Sequence, residues 1–146
     1  MPKQPEIAGM PPVSKWLPPI IAAWLIPGAG HFLLKRHVRG GLLAFAVVAM
    51  FAFGIMMRGA TFQQSFFDMM DQVPKPDLLS RLMATGGFIG NLSTGILYLL
   101  TNWFGYNQQD VAGHVHDYGT KFLVGAGLLN ILAMVDVWDI ATGKRD

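Results

Sequence analysis

The chain contains no cysteine and few charges: 11 Lys or Arg and 9 Asp or Glu in 146 residues, 14% against about 25% in an ordinary soluble domain. Without cysteine there is no disulfide framework, no thiolate metal site and no cysteine nucleophile. The net charge is only +2, and no basic run is long enough to track a phosphate backbone, so nucleic acid is not an expected partner. Catalytic signatures are missing as well: there is no Gly-x-Ser-x-Gly elbow, phosphate loop, dinucleotide fingerprint or His-Glu-x-x-His. An enzyme is therefore not expected, and no cofactor is implied.

The charges that do occur are unevenly placed. Residues 16–34, 40–57, 82–109 and 122–135 hold none, and together they make up over half the chain. Apolar blocks of 18 to 20 residues match the roughly 30 Å hydrocarbon slab of a bilayer at about 1.5 Å per helical residue. The sequence thus predicts an all-α, polytopic membrane protein: a proline-rich tail at 1–15, then one membrane domain at 16–146 with four spans at about 16–34, 40–57, 82–104 and 122–140. The tail lacks the early apolar core of a cleavable leader, so the first span is expected to be retained.

The first span, WLPPIIAAWLIPGAGHFLL, should kink or break at Pro27, Gly28 and Gly30, because Pro27 removes a backbone donor and the glycines relax the chain. Lys35, Arg36 and Arg39 then mark a tight basic turn before the second span, giving a helical hairpin. From 60 to 73, Phe62, Phe66, Met69, Met70 and Val73 recur at spacings of three and four opposite Gln63, Asp68 and Asp71, the pattern of an interfacial amphipathic helix. In the third span Gly86, Gly90 and Gly95, with Asn91, Ser93 and Thr94 nearby, suit close helix packing. Trp103, Phe104 and Tyr106 form its expected interfacial anchor. Four crossings put seven Lys or Arg (Lys3, Lys15, Arg58, Lys75, Arg81, Lys144, Arg145) on the side of the termini and four (Lys35, Arg36, Arg39, Lys121) opposite, which favours cytoplasmic termini.

His31 is the one histidine inside a span, directly after the Pro-Gly break, and an ionisable group at that depth needs a partner. Asp136 is the expected partner if the first and last spans pack together, with Arg39 a further polar candidate. A structural hydrogen bond pinning the broken helix is the leading reading of His31, ahead of a proton relay or substrate contact. His114 and His116, with Asp117, supply metal-type donors in what reads as a loop, but without a third ligand at typical spacing no metal is expected.

The run Ile26-Pro27-Gly28-Ala29-Gly30-His31-Phe32, followed by Arg39-Gly40 and later by Val135-Asp136-Val137-Trp138-Asp139, resembles uncharacterised small bacterial membrane proteins with a Pro-Gly-x-Gly-His or Pro-Gly-x-Gly-Gln hairpin. It is distantly similar to the TM-two domain proteins. The resemblance implies a membrane hairpin with mating polar residues, and no enzymatic activity. The expected function is that of a structural or accessory component of a larger assembly, in a bacterial inner membrane, with the bilayer and other subunits or further copies as partners. The alternative is a small oligomeric transporter or channel that uses the broken first helix.

Overall fold

A computed structural model describes residues 11–62, 71, 77–106 and 114–144, and among these every regular element is a helix. The helices are α1 (Val13–Leu25), α2 (Ala29–Leu33), α3 (His37–Met56), α4 (Leu78–Leu92), α5 (Ile96–Trp103) and α6 (His114–Ala141). Two of them, α3 and α6, are long and apolar enough to cross a membrane. Their 20 and 28 residues span about 30 and 42 Å. They pack together around Val47, Phe51, Leu123 and Ala126, and Leu97 of α5 closes over this cluster.

The first span is broken where proline predicts. Pro27 disfavours helical backbone at the preceding residue, and Ile26 is extended, with φ −127° and ψ 114°. Gly28 then takes φ 83°, and a Cβ there would overlap the carbonyl oxygen of Gly40, so glycine is required for both backbone and space. The chain doubles back: Gly30 lies against Pro19 and Ala23 of α1 and against Val137 of α6. α1 and α2 are thus two arms of a hairpin rather than the halves of one kinked crossing.

The third span departs further from expectation. In place of an unbroken helix at 82–104, α4 and α5 meet at a 103° bend across residues 93–95. Gly95, at φ 60°, makes the turn. On the way in, Gly87 lies against Phe62, near the start of α6, where the amide of Ala60 donates to Thr120 Oγ1 at 2.9 Å. On the way out, the Tyr106 hydroxyl donates to Gly59 O at 3.1 Å. Both arms of this second hairpin therefore open at the N-terminal end of α6.

Two boundaries are corrected. The last helix starts at His114 rather than near Phe122, because Gly119 and Leu123, four residues apart and both buried, carry its inward face toward the start, with Gly119 against Gly59. Of the expected interfacial helix at 60–73, residues 60–62 are non-helical, while 63–70 and 72–73 lie outside the described residues.

Candidate functional site

Near the C-terminal end of α6 the structure brings three expected residues together. His31 is fully buried, and its Nε2 lies 2.9 Å from Oδ2 of Asp136. With a carboxylate as acceptor, the ring presents Nε2–H to it. Arg39, about half exposed, places Nη1 3.4 Å from the same oxygen. Arg39 and Asp136 also line a cleft of about 450 Å³ with Leu42, Leu43, Leu132 and Ala133. His31 owes its position to the Pro-Gly break, which turns α2 back beside α6. Its contact with Gly40 shows why the residue opening the second helix is small, since a Cβ there would lie 2.9 Å from that of His31. Nδ1 of His31 is buried without a hydrogen-bond partner.

A second cluster, at mid-length of α6, is formed where the two hairpin tips meet. The indole N–H of Trp24, at the end of α1, donates to the carbonyl of Leu92, the last residue of α4, at 3.1 Å. Asn130 of α6 bridges the tips, its Nδ2 donating to Ala23 O at 3.2 Å and to Ser93 O at 2.6 Å. The Ser93 hydroxyl lies 2.6 Å from Gly90 O and 2.8 Å from Gly127 O, and Thr94 Oγ1 donates to Asn91 O at 2.7 Å. Carbonyls at the two breaks are thus met by side chains, the Ala23, Leu92 and Ser93 carbonyls from other segments and the Gly90 and Asn91 carbonyls from the same turn, which is the condition for irregular backbone in a low-dielectric interior. Asn91, Thr94 and Asn130 are all at most 1% exposed.

Glycine makes this contact possible. A Cβ at Gly127 would overlap Gly90 O, and one at Gly95 would overlap Trp24 O. Of the three glycines expected to pack, Gly90 faces α6 and Gly95 faces α1, whereas Gly86 has nothing within 4 Å and lies on an open face. Gly86 and Gly87 stand four and three residues before Gly90, spacings a helix face accepts equally, and it is Gly87 that is turned toward Phe62.

The loop histidines are also placed differently. His114 and His116 lie on the first turn of α6, and His116 Nδ1 is 2.7 Å from the carbonyl of Arg58, where the ring N–H serves as donor. Among the described residues no three His, Asp or Glu gather as metal ligands. Trp103 and Phe104 are strongly exposed, as an interfacial anchor would be, while Tyr106 turns inward. Burial pushes the Tyr106 phenol above its ordinary range, with the Arg58 charge opposing that shift. The residues that sequence reasoning passed over as a site are Trp24, Asn91, Ser93, Thr94 and Asn130. The available signal is that both asparagines stand in uncharged stretches, 82–109 and 122–135.

Residues 19–146 match the family described as a family of unknown function (DUF6677). No curated protein and no solved structure matches the chain.

Proposed function

We propose, for a chain that belongs to the family of unknown function DUF6677, a role as a small oligomeric transporter or channel whose two broken segments enter the membrane from opposite faces and meet near its middle. The observation that supports this most is the junction of Trp24 with Leu92. At 13 and 15 residues, α1 and α4 reach about 20 and 22 Å, enough to bring their tips to the centre of a 30 Å slab but too short to cross it. Their C-terminal ends then point at the midplane, and broken helices of this kind line transport sites because their freed backbone groups can bind solutes. Each half of the chain repeats one plan in opposite orientation: hairpin α1–α2 then crossing α3, and hairpin α4–α5 then crossing α6.

On this reading there are two crossings and two re-entrant hairpins, not four crossings. The basic turn at 35–39 returns to the side of the termini, while Arg58, Lys75, Arg81 and Lys121 lie opposite. Lys3, Lys15, Lys35, Arg36, Arg39, Lys144 and Arg145 still outnumber them by seven to four, so cytoplasmic termini in a bacterial inner membrane remain favoured.

A second reading, an accessory component of a larger assembly, is favoured by the closure of the junction, where most polar groups engage one another. Gentle extraction of the native protein with size analysis and mass spectrometry separates the two. A homogeneous small homo-oligomer that moves solute in proteoliposomes supports transport. Stoichiometric recovery within a larger complex, with no flux from the isolated chain, supports the accessory role.

A further inference from the structure

We propose that the basic turn between α2 and α3 is a binding site for an anionic phospholipid, its phosphate held by Lys35, Arg36 and Arg39 and an acyl chain laid along α3. Two clefts share Arg39 and Leu42 as lining residues. The first, of about 480 Å³, is lined further by Lys35, Arg36, His37 and Val38. The second, of about 450 Å³, runs between α3 and α6, where Leu43, Leu132 and Ala133 join the lining beside Asp136. A charged compartment thus adjoins a mainly apolar one, the pairing that a phosphate ester with an attached chain requires.

Charge assigns the phosphate to the first cleft. Lys35, Arg36 and Arg39 are exposed, and the side chains of Lys35 and Arg36 have no ion pair or hydrogen bond among the described residues. Asp136 is the one carboxylate among the residues lining either cleft, and it is already engaged by His31 Nε2 at 2.9 Å and Arg39 Nη1 at 3.4 Å. That contact occupies one nitrogen of a guanidinium with five N–H donors. Lys35 itself has φ 60°, a left-handed backbone that glycine adopts more easily, so a cation is kept there despite local strain.

The surroundings select a lipid over free phosphate. α3 begins at His37 and is long and apolar enough to cross a membrane, so as a crossing it sets the turn at the rim of the hydrocarbon slab. Val38, Leu42 and Phe45, at spacings of four and three, share one helix face and are 80%, 67% and 75% exposed, leading from the cations into the slab. Basic pockets between membrane helices take anionic headgroups in this way. The site does not depend on the transport reading, since both functional readings place α3 across the bilayer.

The test uses the full chain in detergent, titrated with dioleoylphosphatidylglycerol, dioleoylphosphatidylcholine or inorganic phosphate. Native mass spectrometry counts bound lipid, and the unfolding temperature is followed in parallel. Phosphatidylglycerol should bind and raise the unfolding temperature, and the other two probes should not. The double variant Lys35→Gln, Arg36→Gln breaks no ion pair or hydrogen bond, so without lipid it should unfold at the native temperature. It should bind phosphatidylglycerol about thirtyfold more weakly, at about fivefold per basic residue. Lys15→Gln with Arg81→Gln removes the same charge from exposed positions elsewhere and should bind like the native chain. Native-strength binding by the first variant would overturn the site, and so would equal weakening by the second, which marks diffuse attraction. Equal binding of phosphatidylcholine would overturn the requirement for an anionic lipid. A shift of the same size with inorganic phosphate would overturn the lipid as occupant, and no binding of any probe would overturn the proposal as a whole.

Discussion

Trp24 and Leu92, 68 positions apart in the chain, are joined by a hydrogen bond from indole N–H to backbone carbonyl at 3.1 Å. Trp24 lies in the last turn of α1, and Leu92 ends α4. The bond therefore ties the tip of one hairpin to the tip of the other, and Asn130 reinforces it from α6. Replacing Trp24 by Phe keeps an aromatic ring but leaves the Leu92 carbonyl without this donor. We expect a loss of about 0.5–1.5 kcal/mol, read as a lower unfolding temperature in detergent. An unchanged transition would mean that the tips are held by other contacts.

Gly127 and Gly86 should behave oppositely. An alanine at 127 drives its Cβ into Gly90 O, a backbone atom that cannot rotate away, and should destabilise by about 1–3 kcal/mol. An alanine at 86 meets nothing within 4 Å and should be neutral, or stabilising by up to about 1 kcal/mol through helix propensity. Thermal unfolding of the two single variants compares them directly, and equal destabilisation would contradict the crossing of α4 with α6 at Gly90.

For the ionic cluster, His31→Gln retains hydrogen-bonding capacity beside Asp136 and should leave membrane accumulation unchanged. Asp136→Leu strips the buried imidazole of its partner at 2.9 Å and should cost about 1–3 kcal/mol, lowering accumulation. Loss of function in His31→Gln at normal protein levels would instead give the ring a chemical role.

The docking of Tyr106 on Gly59 carries a pH signature. Its phenol titrates above the ordinary 10.0 in the folded protein, because burial opposes the charged form. A raised folded pKa favours the protonated form, so this contribution to stability is fully present below the unfolded value and falls away as pH rises through the raised one. Unfolding measured from pH 8 upward should show a decline beginning near pH 10, and Tyr106→Phe should remove that component. A decline of the same size in the variant would assign it to other groups.

The two breaks differ in how far the sequence discloses them. Pro27 fixes its neighbour's backbone by local sterics, so the first break can be read from one residue. The second, at Ser93-Thr94-Gly95, lies in an apolar run that a straight helix accommodates equally well. What decides it is tertiary: Trp24, Asn130 and Gly127 supply the partners that make a bend tolerable, and none is near in sequence. The same distinction separates the two polar clusters. His31 and Asp136 were recognisable as partners because buried ionisable groups are rare in spans. For Asn91 sequence spacing suggests only helix packing, since an amide suits packing as well as a site, and to Asn130 it assigns no role. For Gly86, spacing alone did not tell which glycine of the pair at 86 and 87 faces inward.

The sidedness of short segments tests the re-entrant arrangement most directly, and the absence of native cysteine gives a clean background. Single cysteines at Ser14, Lys35, Ser80, Phe104 and Lys144, all exposed positions, can be labelled with a membrane-impermeant thiol reagent from each face of oriented vesicles. Two opposed re-entrant hairpins require positions 14, 35 and 144 to react from one face, and 80 and 104 together from the other. Labelling of 35 from the face opposite 14, or of 80 and 104 from opposite faces, would make that segment a full crossing and would remove the midplane junction on which the proposed function rests.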